Sequence, residues 1–136
     1  MPVSLTIVTP TGEAFQGEVE SVVLPGSEGD FGVLENHERF LTPLRVGAVE
    51  IQQADDTLYA AIASGFAEVG ADGVTVLVDA CDLANEIDVA EAELARDLAE
   101  QKLAQLHGDE AAERREQYEE ALELAHLRVD VAKRHS

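Results

Sequence analysis

The sequence has few aromatic residues, one cysteine and no long apolar run, and each shortage excludes a class of structure. Aromatic residues make up 4% of the 136 residues and tryptophan is absent, so the core must consist of Val, Leu, Ile and Ala. The single cysteine, Cys81, excludes an internal disulfide and a cysteine-rich zinc site. No stretch approaches the roughly 18 apolar residues of a membrane helix, and no secretory signal precedes the first strand. We therefore expect a soluble, cytoplasmic protein.

Basic residues are also scarce. The chain has 9 Lys and Arg against 28 Asp and Glu, which gives a formal net charge of −19. Nucleic-acid binding requires clustered cations against phosphates, so this balance argues against a nucleic-acid partner. It also argues against direct docking on an anionic membrane surface or insertion into it. An excess of acidic residues of this kind is otherwise explained by solubility or by the general composition of proteins in the source organism.

Residues 1–84 carry the pattern of a β domain. Val3–Val8 alternates apolar and polar residues, as a half-buried strand does. Turn residues at 54–57 and 70–73 separate later strand-like runs, and the second of these is a clear hairpin signal. Phe15–Leu24 is interpreted as one long strand with a possible bulge at Gly17. The pattern predicts an antiparallel β-sandwich of about ten strands.

The stretch 24–37 is the most distinctive part of this domain. Pro25-Gly26 suits a tight turn, and the glycines that flank Asp30 and Phe31 allow a sharply bent strand. Asn36-His37 then precedes the next strand. Two interpretations remain open: a plain strand–turn–strand corner, or a contact segment in which an exposed Phe31 anchors a partner.

Residues 85–136 change to helix-forming composition, with glycine only at position 108 and no proline. Asp88 has the position of an N-cap, and the first helix is expected to run to about Leu106. A second helix is expected from about Glu110 to Arg134, so the two form an antiparallel hairpin. The second helix has a coiled-coil seam of Tyr118, Leu122, Ala125, Val129 and Ala132. Leu94 and Leu98 widen the apolar face of the first helix beyond what a two-helix seam needs, which indicates a further contact.

No pattern for catalysis or metal binding stands out. Carboxylates beside Cys81 would raise its pKa, and the histidines lack metal-ligand spacing. The glycines at 26, 29 and 32 do not form a phosphate-binding loop, because no Lys-Ser/Thr follows them. Acidic pairs such as Asp55-Asp56 lack the regular oxygen spacing of a calcium loop. The sequence predicts neither catalytic residues nor a metal site.

Several motifs together resemble the epsilon subunit of bacterial rotary ATP synthases. They occur in the expected order over almost the whole chain, at Val8–Pro10, Gly17–Glu20, residues 23–37, Ser64–Val69, Val74–Leu77 and Ile87-Asp88. Two departures are visible, since family members usually have Pro at the position of Glu35 and often Gly-Gly at Ser64-Gly65. The resemblance implies the α+β fold described above, with a β-sandwich (1–84) and a helical hairpin (85–136).

The resemblance also implies a non-catalytic rotor subunit in the central stalk of a proton-driven ATP synthase. The β domain would bind the gamma subunit and the membrane rotor ring on the cytoplasmic face of the bacterial membrane, as a peripheral protein. The contact residues implied for it are Gly29, Phe31, Asn36 and His37. The hairpin would extend towards the alpha and beta subunits to block ATP hydrolysis, using basic residues of its second helix. These are Arg114, Arg115, Arg128, Lys133 and Arg134.

Some members of this family bind ATP between the hairpin helices, through a motif that begins Ile/Leu-Asp-x-x-Arg-Ala. Here Ile87, Asp88 and Ala92 match, but Glu91 replaces the arginine. Leu98 and Leu124 occupy further positions where basic residues are expected, and Arg128 alone matches. A triphosphate needs several charge-assisted donors, so no ATP cofactor is expected. The alternatives to a stalk subunit are a cytosolic adaptor or chaperone-like protein and, less consistent with the sequence, a small enzyme.

Overall fold

The computed structural model describes residues 3–33, 39–106 and 108–135, and for 108–113 it describes the backbone only. Ten strands are followed by two helices, which confirms the predicted α+β architecture. The strands are β1 (Val3–Thr9), β2 (Gly12–Val19), β3 (Ser21–Gly26), β4 (Gly29–Val33), β5 (Phe40–Leu44), β6 (Gly47–Gln52), β7 (Thr57–Ile62), β8 (Gly65–Gly70), β9 (Gly73–Val78) and β10 (Cys81–Leu83). A short 3₁₀ helix, Ala84–Glu86, leads to α1 (Val89–Ala104), and α2 is Gly108–His135.

The strands form a sandwich from one continuous path. Its order is β10-β7-β6-β3-β5-β8-β9-β1-β2, with β4 paired to β3. The path turns a corner between β3 and β5, which share only the pair Gly26–Leu44. The pairs are antiparallel, as predicted, with one exception, because β1 runs parallel to β9. Both parts of the path enclose a common core.

The core is aliphatic, as the composition predicted. Its largest fully buried side chains include Leu5, Ile7, Leu24, Ile51 and Ile62. Burying each of these side chains stabilises the fold by about 1.5–3 kcal/mol. Among the residues that the structure describes, no polar or charged residue is buried. The alternating apolar and polar strands therefore supply one apolar face each to a dry interior.

Three hairpins share one turn design. Two turn residues are followed by a glycine with positive φ, at Gly12 (130°), Gly29 (138°) and Gly73 (141°). Side chains are rarely tolerated at such φ values, which explains the glycine at the second of these turns. The predicted turn at Pro25-Gly26 was wrong, because both residues belong to β3. The turn lies at Ser27-Glu28, where Gly26 pairs with Gly29.

Partner changes in the sheet correct two further strand predictions. The expected strand from Phe15 to Leu24 is interrupted at Glu20, because β2 pairs with β1 whereas β3 pairs with β4 and β6. The bulge lies at Ala14 rather than Gly17, since Ile7 pairs with Phe15 and Val8 with Glu13. Strand β10 had no sequence prediction, and its three residues are held by pairing with β7.

The helices agree with their local signals. The Asp88 carboxylate accepts the Glu91 backbone N–H at 3.1 Å, which confirms the predicted N-cap. Helix α1 ends two residues before Leu106, and α2 begins at Gly108 instead of near Glu110. In the predicted seam, the residues Ala125, Val129 and Ala132 are buried, whereas Tyr118 and Leu122 are half-buried.

We predict that Gly65→Ala destabilises the domain. A Cβ at this position would lie 2.0 Å from the Leu77 carbonyl oxygen and 2.8 Å from the Val78 Cα, both of which belong to the backbone. Relief requires β8 and β9 to separate, so the expected cost is about 1–3 kcal/mol of unfolding free energy. Gly32→Ala is the matched control, because its Cβ would have only a Val23 methyl at 4.0 Å. Chemical denaturation that gives equal losses for both variants would contradict this account.

Candidate partner-binding surface

The outer face of β5, β8, β9 and β1 carries an apolar row. Pro43 pairs with Phe66, Phe66 pairs with Leu77, and Leu77 pairs with Val8 on the parallel strand. Phe66 is 52% exposed and Leu77 53% exposed, although both are large apolar residues. Paired residues on one face have adjacent side chains, so these four form a continuous strip across four strands. We call it the apolar row.

An open groove runs beside the apolar row, with a volume of about 660 Å³. Besides the four residues of the row, it is lined by Leu44, Ser64, Gly65 and the strand ends at Thr9-Pro10 and Val78-Asp79. Leu41, which is 67% exposed, lies on β5 two residues before Pro43. Contiguous exposed apolar surface of this kind marks an interaction site more often than isolated residues do.

Carboxylates surround the apolar row. Glu13 pairs with Val8 in the register of β1 and β2, Glu68 lies two residues after Phe66, and Asp79 lines the groove. Only two basic residues, Arg39 and Arg45, occur before residue 85. Arg45 is already paired with Asp30 at 2.5 Å. The surface is therefore apolar at its centre and acidic at its edge.

The predicted contact residues lie partly at this surface. Gly29 is exposed in the β3–β4 turn, and Phe31 lies on strand β4. Phe31, for which one of the two open interpretations expected exposure, is half-buried against the core, and its ring lies 6.0 Å from that of Phe40. Asn36 and His37 lie outside the described residues. Phe40 begins β5 next to Leu41, which places Phe31 close to one end of the candidate surface.

The hairpin is docked against β7 through its second helix. Val131 of α2 packs with Ala61 and Ala84 in one buried cluster. Ala132 and Val129 form a second cluster with Ile87 at the base of α1. Small side chains at these positions allow the helix axis to approach the sheet closely. Leu94 and Leu98 remain 60% and 48% exposed, so docking leaves apolar surface on α1 uncovered.

Arg128 links three elements of the docked form. Its Nε donates to the Asp82 carboxylate of β10 at 3.1 Å, and its Nη2 lies 3.9 Å from the Glu91 carboxylate of α1. The Arg128 side chain is 18% exposed, less than any other described arginine or lysine in an ion pair. Such partial burial weakens solvent screening and makes this pair stronger than a surface ion pair.

Two contacts hold the C-terminal end of α2. The His135 ring stacks on Tyr59 of β7 with 3.5 Å between the ring centroids. The Tyr59 hydroxyl donates to Glu50 at 3.1 Å, and this hydrogen bond, with partial desolvation, raises the tyrosine pKa above its ordinary value. Lys133 lies 3.5 Å from the Glu93 carboxylate of α1. The docked state therefore combines apolar, aromatic and ionic contacts.

The remaining predicted regulatory residues are exposed. Arg115 forms an i,i+4 pair with Glu119 at 3.9 Å, and Arg134 forms one with Asp130 at 3.0 Å. Arg114 is exposed on the same helix. These exposed pairs stabilise the helix only weakly. Of the five predicted residues, Arg128 alone joins the hairpin to the β domain in the described contacts.

The described residues place no reactive group at this surface. Burial raises the pKa of the Cys81 thiol to about 12, with further contributions from Asp82 and Glu86, so the thiol stays protonated at neutral pH. In the described ranges, no three histidine, cysteine or carboxylate residues are grouped to hold a metal ion. Of the helices in those ranges, neither is apolar enough over sufficient length to cross a membrane.

The sequence reasoning missed the apolar row, although a signal for it exists. In β9 the buried residues are Val74, Val76 and Val78, and Leu77 has the opposite phase. In β8 the buried Ala67 and Val69 likewise leave Phe66 in the outward phase. Large apolar residues in the outward phase of two neighbouring strands are visible in the sequence pattern alone, and they indicate a binding face.

Comparisons with known proteins agree on one family. The model of the family "ATP synthase, Delta/Epsilon chain, beta-sandwich domain" matches residues 2–84. The chain is 47% identical over 100 residues to the ATP synthase epsilon chain of Pelotomaculum thermopropionicum, covering 74% of this chain and 75% of that relative. Over 131 residues it is 35% identical to the ATP synthase epsilon chain of Shouchella clausii, covering 96% and 95%.

A solved structure is similar over both parts of the chain. It is a chain of the Euglena gracilis mitochondrial ATP synthase, in an assembly of OSCP, F1 and c-ring. The TM-score is 0.73 at 26% identity, and the match covers 92% of this chain and 78% of that chain.

We predict that Arg128→Glu releases the hairpin from the β domain. The substitution places a third carboxylate beside Asp82 and Glu91, which turns an attraction into a repulsion. Amide hydrogen exchange should accelerate at residues 125–132 while β8 and β9 stay protected. Arg96→Glu is the control, because Arg96 pairs only with its neighbour Asp97 in the described contacts. Unchanged exchange at 125–132 in Arg128→Glu would show that the Arg128 pair is not needed to hold the hairpin.

Proposed function

Because the chain belongs to the ATP synthase epsilon-chain family, we propose that it couples the gamma subunit to the membrane rotor ring as a rotor subunit of the central stalk. Members of this family are non-catalytic subunits, and ATP chemistry would occur at the alpha and beta subunits. The similar Euglena gracilis chain belongs to an assembly with F1 and a c-ring, which supports this place in the complex. The chain would work as a peripheral protein on the cytoplasmic face of the bacterial cell membrane, in a proton-driven enzyme.

The apolar row is the proposed docking site for the gamma subunit, and it is the observation that carries the proposal. About half of the surface of Phe66 and of Leu77 is exposed. Burial of this surface by a partner would stabilise the complex by roughly 1 kcal/mol for each residue. A central apolar strip with a polar edge is the usual anatomy of a protein interface. The groove adds depth to the contact, and large anchors in pockets commonly dominate binding energy.

The proposed ring contact is the segment that contains Gly29, Phe31, Asn36 and His37. Gly29 is exposed at the tip of a hairpin, so it is accessible to a second protein. Phe31 would act from a half-buried position on β4, next to Phe40. Its contact with Phe40 brings this segment to one end of the gamma-binding surface. A single small domain would then contact gamma and the ring with adjoining surfaces.

Regulation is the proposed role of the hairpin. In the docked state it lies on β7, and in an extended state it would reach the alpha and beta subunits and block ATP hydrolysis. Four of the five basic residues have carboxylate partners in the docked state, but three of these pairs lie within the hairpin, so Arg128–Asp82 is the pair among them that extension must break. The exposed Leu94 and Leu98 offer apolar surface for the extended state. To shift the hairpin from about 1% to about 99% extended, the partner must bind the extended state about 5.5 kcal/mol more tightly than the docked state.

No ATP site between the helices is part of the proposed function. Asp88 is used as the N-cap of α1, and Glu91 directs its carboxylate towards Arg128, the one matching base. A triphosphate would have to displace these carboxylates and overcome their repulsion. Thermal unfolding with MgATP should therefore show no stabilisation, and a micromolar dissociation constant would refute the expectation.

We predict that Phe66→Glu weakens gamma binding by more than about tenfold, the scale of an interface hot spot. The side chain points outward, so the isolated chain should keep its fold and thermal stability. Thr75→Glu, which adds the same charge on the outer face of β9 outside the groove, is the matched control. Titration with purified gamma subunit measures both. Equal affinities for the two variants would place gamma on another surface.

We predict that deleting residues 88–136 raises ATP hydrolysis by the assembled complex and leaves assembly and ATP synthesis largely intact. The deletion removes the inhibitory element and keeps the apolar row. Neutralising Arg114, Arg115, Arg128, Lys133 and Arg134 together should give a smaller rise, because apolar contacts of the extended hairpin remain. If the truncated complex hydrolyses ATP no faster than the intact one, the hairpin is a structural element and not an inhibitor.

A further inference from the structure

We propose that the docked hairpin completes the groove beside the apolar row, so that partner binding and hairpin docking stabilise each other. The completed groove would take a partner segment that combines apolar side chains with flanking lysines or arginines. This inference rests on the proposed function for the identity of the partner, the gamma subunit. It adds a dependence of that binding on the state of the hairpin.

Ser64 is the residue that joins the two surfaces. It lines the groove together with Gly65 and Phe66, and its hydroxyl donates to the Glu120 carboxylate of α2 at 2.5 Å. The two residues are 56 positions apart in sequence, so the hydrogen bond brings the middle of α2 to the edge of the groove. A wall of the candidate gamma site is thus in direct contact with the proposed regulatory element.

The segment around Ser64 is held firmly on its other sides. The Ala63 N–H donates to the Ala80 carbonyl at 3.0 Å, and Gly65 pairs with Val78 at the start of β8. The backbone of β9 approaches Gly65 so closely that a Cβ would overlap it. A displacement of Ser64 therefore shifts the groove lining, and departure of α2 removes the Glu120 carboxylate, which is both the hydrogen-bond partner of Ser64 and a negative charge beside the groove.

Charge identifies the kind of partner that fits. Glu120 from α2 adds to Glu13, Glu68 and Asp79 around the apolar row. Within the part of the chain that the structure describes, none of these four carboxylates has a cationic partner within 4 Å. A second copy of this chain, with its net charge of −19, would be repelled. Lysines or arginines beside an apolar anchor would instead find carboxylates without a cationic partner on β2, on β8, just after β9 and on the hairpin.

Coupling between two binding events is reciprocal. If gamma binds the docked form more tightly, gamma must favour docking by the same factor. Couplings of this kind are commonly about 5- to 150-fold. Since α2 contributes one carboxylate, bound to one residue of the groove lining, we expect a factor of about ten or less, near the lower end of that range. A stalk partner would then favour the docked hairpin, and an extended hairpin would loosen one edge of the gamma contact.

Titration of the full-length chain with purified gamma subunit tests the coupling. Arg128→Glu, which frees the hairpin, should bind gamma about five- to tenfold more weakly than wild type. The added negative charge by itself would favour a basic partner segment, so a loss of affinity would come from the freed hairpin. Arg96→Glu, with the same charge change, should bind as wild type does. Glu120→Gln keeps a hydrogen-bond acceptor for Ser64 but removes the negative charge. The affinity for gamma should therefore fall, and the remaining affinity should depend less on salt concentration. Glu123→Gln is its matched control on the same helix.

The outcomes separate this inference from the proposed function. In wild type, added gamma should also slow amide exchange at residues 125–132, far from the groove. If Phe66→Glu weakens binding but Arg128→Glu and Glu120→Gln do not, the groove is complete without the hairpin and the coupling is wrong. If Phe66→Glu has no effect on gamma binding either, the proposed gamma site is wrong, and so is the proposal that the hairpin completes the groove.

Discussion

A β-strand has two faces, and the interior of this sandwich covers only one of them. The inward phase holds a dry aliphatic core in which residues such as Leu5, Ile7 and Ile62 are fully buried. Any large apolar residue in the outward phase must be covered by something else or remain in water. Phe66 and Leu77 are two such residues, on paired strands, and they form the centre of the proposed partner-binding surface. The folded core and this proposed surface therefore come from the same alternation.

A second consequence of the aliphatic composition is seen where the hairpin packs against β7. The small residues Ala61 and Ala84 let Val131 of α2 pack closely on the β domain, but they offer little apolar area for this contact. The docked hairpin is thus held by modest packing, by the Arg128 pair and by the stack of His135 on Tyr59. A contact of this strength suits the proposed regulatory role, in which the hairpin would leave the β domain.

Local signals predicted much of this fold, and non-local pairing decided the rest. The Asp88 cap and the hairpin at 70–73 depend on neighbouring residues, and both were confirmed. The interruption at Glu20 and the existence of β10 depend on which strands pair, which no short stretch of sequence specifies. Pro25-Gly26 is a common turn dipeptide, yet tertiary context places it inside a strand. The apolar row was predictable in principle from strand phase, whereas the Arg128 and Ser64 contacts join residues 46 and 56 positions apart.

The most direct test of the central claim is an amide hydrogen-exchange footprint of the full-length chain with and without the gamma subunit. The account predicts that gamma slows exchange most strongly in β5 and in the β7–β8 and β9–β10 connections, which border the groove. Strand β6, on the other side of the β3–β5 corner, should change little. Protection confined to β6 and β10, with no change around Phe66, would contradict the claim that the outward apolar residues form the stalk contact.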